Sequence, residues 1–373
     1  MATPLPNNAD SRHWFEQIQG WARELGFSQL GVSGVDLSSA EPYLLQWLAM
    51  GFHGDMQYME RHGLKRARPA ELVPGTVSVI TARMPYLPQD TTAPDWQARE
   101  LARLNEAGEG VVSLYARGRD YHKVVRGRLK KLCDRIETLV GPFGYRVFSD
   151  SAPVLEKDLA IRSGQGWRGK HSLVLSRDGG SMFFLGEIFV DFALEPTEPV
   201  SAHCGTCTAC IDICPTGAIV APGVVDARRC LSYLSIENHG PIPEEFRQAM
   251  GNRVYGCDDC QLICPWNKYA HRTELPDFDE RSPLVGQQLV AMFAWDEHTF
   301  LRNTEGGPVR RINHERWLRN VAVALGNALR QAESGQADSE KVNELRAALL
   351  SRADHPSALV REHVAWALAQ GGA

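Results

Sequence analysis

The stretch Cys204-Gly-Thr-Cys207-Thr-Ala-Cys210-Ile-Asp-Ile-Cys214-Pro215 has the C-x2-C-x2-C-x3-C-P spacing of bacterial ferredoxins. Three closely spaced thiolates wrap one corner of an iron–sulfur cubane. The fourth, displaced onto the next turn ahead of a proline, points to another cluster, so a second set of ligands is required. Downstream, Cys257-Asp-Asp-Cys260-Gln-Leu-Ile-Cys264-Pro265 repeats the end of the pattern, but Val254 stands where its first cysteine would fall. Cys230, isolated between the two runs, is the only other cysteine of the segment and completes a set of eight. Cross-ligation of the ferredoxin kind assigns Cys204, Cys207, Cys210 and Cys264 to one [4Fe–4S] cluster, and Cys214, Cys230, Cys257 and Cys260 to the other. Zinc sites use similar C-x2-C steps, yet two C-x3-C-P runs and eight cysteines fit zinc poorly. The ninth cysteine, Cys133, sits among Leu129, Leu132 and Ile136 and reads as a small buried hydrophobe.

Working outward, 373 residues allow two to three domains, each with its own core. An apolar fraction of 43%, a charged fraction of 23% and a mean hydropathy of −0.28 exclude disordered and fibrous classes. No apolar run approaches the roughly 18 residues of a membrane span, and residues 1–14 lack a basic segment followed by an apolar one, so a cytoplasmic protein is expected. A net charge of −5 argues against a chain that coats nucleic acid and leaves room only for a local basic face.

Before the cysteines, Trp14, Phe15, Ile18, Trp21, Ala22 and Leu25 keep helical spacing up to Gly26. Apolar runs at 29–35, 77–82, 111–115, 145–148 and 182–190 alternate with helical patterns at 121–139 and 154–162. The pattern predicts a layered α/β (α+β) domain over 1–195. A boundary falls in Leu194-Glu-Pro-Thr-Glu-Pro-Val-Ser-Ala202, rich in proline and acid, and a ferredoxin-like domain follows over 196–270. The last part, 271–373, is helical. Its phrases Val321-Ala-Val-Ala-Leu-Gly326 and Val364-Ala-Trp-Ala-Leu-Ala369 recur at an offset within the roughly 40–47 residues of HEAT-type helical pairs, although two apolar helices of an ordinary bundle would read the same way.

Additions of domain size around a ferredoxin module imply a redox acceptor and a substrate. Gly164-Gln-Gly166-Trp-Arg-Gly169 is a literal G-x-G-x-x-G, but a helical pattern precedes it and an apolar run at 172–176 follows, the reverse of a dinucleotide-binding turn. Asp120-Tyr-His122-Lys-Val-Val125 lacks the glycine of the D-x-H-x-x-G motif that supplies a histidine to cobalt, so a histidine-ligated corrinoid of that type is not supported.

Arg117-Gly-Arg-Asp120-Tyr-His122, Asp150-Ser-Ala-Pro153, Gly164-Gln-Gly-Trp-Arg-Gly-Lys170-His171, Gly251-Asn-Arg-Val-Tyr-Gly-Cys257-Asp-Asp-Cys260 and Arg311-Ile-Asn-His-Glu-Arg-Trp317-Leu-Arg-Asn320 occur in this order. Together with the cysteine runs they resemble the epoxyqueuosine reductases, from about Trp14 to the C-terminus. The resemblance implies reduction of epoxyqueuosine at the wobble position of tRNAs with GUN anticodons to queuosine, the last step of that modification. It also implies base-off cobalamin, held by an N-terminal domain related to the corrinoid-binding core of reductive dehalogenases, and a monomer fed by a low-potential electron donor that the sequence does not identify. By matched position it assigns the proton donor to Asp150 and cobalamin contacts to Arg66, Asp150, Lys170, Leu185 and Asp258. Where some members carry a cysteine, this chain has Ser113, so a thiol there is not essential.

On this reading Asp150, held protonated in an apolar pocket beside the corrin, protonates the departing oxygen. From the residues alone, the same aspartate suits an N-cap or Asx turn ahead of Pro153 and Glu156. The substrate base must leave the anticodon stack, with protein contacts mainly to nearby phosphates. Arg302, Arg310, Arg311, His314, Arg316 and Arg319 gather near the first C-terminal helical unit and form the expected phosphate-binding face, unless they simply solvate a helix. A reductive dehalogenase of small organohalides would share the clusters and corrinoid but need no such appendage. A bare electron carrier would leave Asp150 and two domains without purpose.

Overall fold

The computed structural model describes residues 8–92, 95–334 and 339–371. Residues 1–7, the first half of the segment expected to lack a leader, lie outside them. Helix α1 (Asn8–Glu24) stops at Gly26, whose φ of 87° suits glycine, and leads into strand β1 (Gln29–Gly34). Strand β2 (Ser78–Pro85) follows, then the short β3 (Val111–Val112), helix α2 (Tyr121–Val140), strand β4 (Tyr145–Phe148) and helix α3 (Glu156–Arg162). A hairpin of β5 (Trp167–Arg168) and β6 (Val174–Leu175) precedes the long strand β7 (Phe183–Val190).

The main sheet has the order β1-β2-β7-β4, with every neighbouring pair antiparallel. Alternation along its strands gives each face its own core. Ile80, Ala82 and Ile188 pack with Ile18 and Ala22 of α1 and with Leu129, Leu132, Cys133 and Ile136 of α2. Val79, Phe148 and Phe189 pack with Leu159 of α3 on the other face. Cys133 is thus the buried hydrophobe expected of it.

The run at 111–115 does not join this sheet. Only Val111 and Val112 are extended, and they pair in parallel with a strand of the cysteine segment. The chain then turns because the Asp258 carboxylate accepts from Ser113 Oγ at 2.5 Å and from the Leu114 amide at 2.7 Å. The glycine-rich stretch 164–169 spans the end of α3 and the β5–β6 hairpin, so it is no dinucleotide turn. A side chain at Gly166 would strike the Leu175 carbonyl at 2.1 Å, which is why glycine stands there.

In the cysteine segment two four-residue helices, α4 (Ala209–Asp212) and α6 (Asp259–Leu262), pack together. Between them lie the hairpin β8 (Ile219–Ala221) and β9 (Val224–Val225), helix α5 (Leu231–Ile236) and strand β10 (Arg253–Tyr255), the partner of β3. The C-terminal part is built on α7 (Asn313–Ser334), α8 (Ser339–Leu350) and α9 (Ala358–Leu368). The two repeated phrases fall on α7 and α9, which pack directly against each other. A side chain at Gly326 would meet the Ala367 Cα at 2.8 Å, so that glycine permits the close approach.

The cores cross the three sequence segments. Leu262, Ala270 and Phe278 belong to the core of the N-terminal sheet, and Val112 belongs to that of α7 and α9. The junction also corrects the basic face. Arg319 is wholly buried and donates to the carbonyls of Leu234, Asn238 and Gly240. Arg316, also buried, donates to those of Arg311, Ile312 and Ile236. Both guanidiniums fasten α7 to the loop after α5 and are out of reach of a phosphate, because a charge removed from water needs these acceptors in its place.

Candidate active site

Two cavities meet at one carboxylate. The larger, about 820 Å³, lies among the start of α2, the loop 306–311 and α5. The other, about 530 Å³, lies among β7, residues 113–115, residues 171–174 and the cysteine segment. Both are lined by Tyr115, Tyr121, Asp150, Val225, Cys230 and Ser232.

Asp150 follows β4 with φ of 59°, a left-handed conformation that an aspartate tolerates at some strain. Its placement is built from α2. Asp120 caps that helix, accepting from the His122 amide at 3.1 Å, and its Oδ1 also binds His122 Nδ1 at 2.8 Å. The imidazole is thereby aimed so that Nε2 lies 3.0 Å from Asp150 Oδ2, which also accepts from the Tyr121 hydroxyl. Tyr121 is itself fixed by stacking on Phe184 of β7, with centroids 4.2 Å apart. Asp150 is not a helix cap: α3 begins at Glu156, and the Asp150 amide donates to the Glu156 carboxylate.

This environment corrects the expectation of an apolar pocket and a protonated Asp150. Burial alone would raise its pKa, but the hydrogen bonds from His122 and Tyr121 outweigh burial and hold it below the usual carboxylate range. Partial removal of His122 from water opposes its charge, but Asp150 and Asp120 raise its pKa above the ordinary histidine value. The proton of this pair therefore rests on the imidazole. Glu156, beside Asp150 on the cavity wall, is pushed up to about 8, by burial first and then by the Asp150 charge.

Cys204, Cys207, Cys210 and Cys264 line one small cavity of about 60 Å³. Cys214, Cys230, Cys257 and Cys260 all line the 530 Å³ cavity. The Trp167 indole donates to Cys204 Sγ at 3.4 Å and the Ala218 amide to Cys214 Sγ at 3.3 Å, as suits thiolate ligands of a cluster.

The remaining predicted residues divide. Leu185 and Asp258 line the 530 Å³ cavity. Lys170 does not; its ammonium donates to the carbonyls of Gly205 and Cys207 at 2.8 Å each, clamping the first cysteine loop. Arg66 also lies outside the cavity lining, because its buried guanidinium is spent on the carbonyls of Tyr58 and Met59. Arg310 and Arg311 line the 820 Å³ cavity, and Arg311 pairs there with Glu237 at 2.8 Å. Arg302 is exposed outside that lining, and His314 is used on the Trp295 carbonyl. Lys123 and Arg126, exposed on the same cavity, were missed by the sequence reading; their spacing of three on α2 was the available signal.

Comparison with known proteins places this arrangement in a family. A family model described as "Epoxyqueuosine reductase QueG, DUF1730" matches residues 66–151, and one described as "4Fe-4S double cluster binding domain" matches residues 203–267, the span of all eight cysteines. An epoxyqueuosine reductase of Alicycliphilus denitrificans is 72% identical over 355 residues, covering 95% of this chain and 97% of that protein. The chain belongs to the epoxyqueuosine reductase family. The epoxyqueuosine reductase of Burkholderia pseudomallei is 56% identical, over 94% of this chain and 91% of its own length. That of Escherichia coli is 51% identical, over 99% and 92%. Among solved structures, an epoxyqueuosine reductase with an epoxyqueuosine-modified tRNA stem loop has a TM-score of 0.79 at 24% identity, covering 96% of this chain and 99% of its own. The Bacillus subtilis epoxyqueuosine reductase has a TM-score of 0.78 at 23% identity, covering 97% and 100%. These two share the fold. Among the described residues, no helix is long and apolar enough to cross a membrane.

Of the four cysteines that line the 530 Å³ cavity, Cys230 is the one with no cysteine close to it in sequence. Its replacement, Cys230→Ser, should leave a folded protein that reconstitutes with about half the iron and sulfide of the wild type, since the cavity of Cys204 and Cys264 is untouched. Iron and sulfide assay with low-temperature EPR reads this, and an undiminished iron content would remove Cys230 from the ligand set.

Proposed function

We propose that this protein reduces the epoxide of epoxyqueuosine in tRNA to the alkene of queuosine, with cobalamin in the 530 Å³ cavity and electrons supplied through two [4Fe–4S] clusters. The observation that carries the reading is the position of Asp150: its carboxylate is on the wall common to two cavities, one lined by four cysteines and the other rimmed by Lys123, Arg126, Arg310 and Arg311. The relatives' name and the tRNA stem loop bound to a protein of the same fold support the substrate.

The residues of the smaller cavity suit a corrin. Leu185, Val174 and Phe183 offer apolar contact, while the hydroxyls of Ser172, Ser232 and Thr216 suit its amide-bearing rim. Asp258 forms part of the floor, tied to Ser113 and Leu114. When bound in its cob(I) state, cobalamin supplies a strongly reducing, nucleophilic metal centre, attainable only with a low-potential donor. The polypeptide does the rest. Lys123, Arg126, Arg310 and Arg311 hold phosphates so that the modified base enters the 820 Å³ cavity. The ring of Tyr121, stacked on Phe184, forms a flat wall where the two cavities meet. The His122–Asp150 pair moves a proton to the departing oxygen, which would otherwise leave as a poor alkoxide. The cytoplasm is the compartment where such thiol-rich clusters and tRNA meet.

Replacing Asp150 by Asn keeps the shape and leaves both cysteine sets intact, so clusters and tRNA affinity should persist while queuosine formation, read by mass spectrometry of digested tRNA, falls roughly 100-fold or more. Undiminished turnover in Asp150→Asn would remove the proton-donor role. Reversing Arg310 and Arg311 to Glu should weaken binding of epoxyqueuosine tRNA and flatten its dependence on salt, with cluster spectra unchanged. An unaltered salt slope would take these two arginines out of the tRNA site.

A further inference from the structure

Opening an epoxide to an alkene consumes two electrons and two protons and releases water. The electrons come from a low-potential reductant, but the His122–Asp150 pair accounts for only one proton, because Tyr121 and His122 hold the Asp150 carboxylate ionised. Behind Asp150 stand two further carboxyls. Glu187, in the middle of β7 opposite Thr81 and Phe148, is 0% exposed, and among the described residues its side chain is hydrogen-bonded only to the carboxyl of Glu156. Glu156, on the first turn of α3, faces the cavity and accepts the Asp150 amide. Among the described residues the only cation in contact with any of the three carboxyls is His122, at 3.0 Å from Asp150. Glu156 lies between the Asp150 carboxylate, which is half-exposed and paired with His122, and the wholly buried Glu187, so neither it nor Glu187 has a cation of its own, and an unpaired carboxylate drawn out of water is costlier than its neutral acid.

We infer that Glu156 stores the second proton of the reaction and passes it to Asp150, an inference that rests on the function proposed above. In the first transfer the His122–Asp150 pair gives its proton to the oxygen as one carbon–oxygen bond breaks. The O–H bond of Glu156 then breaks as one forms on Asp150, and Asp150 delivers that proton as the second carbon–oxygen bond breaks and water leaves. Glu187, a neutral acid at the back of Glu156, is a positioning residue that keeps charge away from it. The charged and titratable groups that act on Glu156 are Asp150, Tyr121 and His122 on the cavity side, Glu187 from β7, Lys157 from its own helix, and Arg66. Their balance leaves Glu156 protonated at neutral pH and deprotonated as pH rises past about 8, where Lys157 also titrates.

The test compares cluster-loaded, cobalamin-loaded wild type with Glu156→Gln and Glu156→Asp, under dithionite, with epoxyqueuosine tRNA. Gln can still accept the Asp150 amide but carries no exchangeable acid proton. We expect wild-type turnover to fall above about pH 8, Glu156→Gln to lose roughly 10-fold or more together with that alkaline limb, and Glu156→Asp to recover part of both. Infrared difference spectra across the same pH range, which need no turnover, should show in the wild type a protonated-carboxyl band that disappears above about pH 8 and is missing from the spectra of Glu156→Gln, in which Glu187 stays protonated throughout. An unchanged rate in Glu156→Gln, an alkaline limb that persists in it and so belongs to Lys157, or the absence of that band in the wild type would each overturn the proposal. Absence of conversion by the wild type would instead overturn the function on which it rests, and the infrared band would still decide whether Glu156 holds a proton.

Discussion

The contact between the helices Ala209–Asp212 and Asp259–Leu262 is the constraint on which the rest depends. Each helix carries a cysteine and ends in a Cys-Pro turn, and packing them together brings Cys264 to the first cysteine loop and Cys214 to the second. The chain between them must fold back over the N-terminal sheet. It does so through Asp258, which pins the turn after Val112, and through the parallel pairing of Arg253–Tyr255 with Val111–Val112. One cysteine set thereby faces a cavity whose opposite wall is the strand Phe183–Val190 of that sheet.

Polar groups rather than apolar area fix the geometry at the centre. Asp120 orients His122, His122 and Tyr121 orient Asp150, and the Asp150 amide is held by Glu156, so a residue with a left-handed backbone is determined from three directions. The C-terminal helices are joined in a similar way. Arg316, Arg319, Asn320 and Asn327 on one face of a single helix donate to backbone carbonyls between residues 234 and 254, apart from the two nearby carbonyls also used by Arg316. Buried donors matched to acceptors make a rigid junction, which keeps the loop of Arg310 and Arg311 in register with the cavity below it.

Much of this was legible in the residues. The two cysteine runs stood out as cluster-binding segments from spacing, because a cubane demands closely spaced ligands and proline-marked turns, and a double-cluster family model covers them. The helix at 121–139 was visible from its periodicity, since it has one buried face, and the strands at 145–148 and 182–190 were visible as apolar runs, the second buried on both faces of the sheet. Other features were not legible. The run at 111–115 read as one apolar run of the N-terminal domain, whereas only its first two residues are extended, paired with the cysteine segment, before the distant Asp258 turns the chain. Arg316 and Arg319 looked like exposed cations, because helical spacing does not say which backbone carbonyls lie across the interface. Lys170 and Arg66 were placed by likeness to a motif, whereas their ammonium and guanidinium groups are taken up by nearby carbonyls. The charge state of Asp150 depends on His122 and Tyr121, which approach it from another element, and no local pattern around Asp150 encodes that.

The central claim is that the cavity between the cysteine segment and the sheet holds the cofactor that reduces a tRNA-borne epoxide. The most direct measurement reconstitutes the clusters anaerobically, adds reductant and epoxyqueuosine tRNA with and without cobalamin, and quantifies queuosine after digestion. The account predicts conversion only when cobalamin is present. Equal conversion without it, or none with clusters and corrin both bound, would contradict the account.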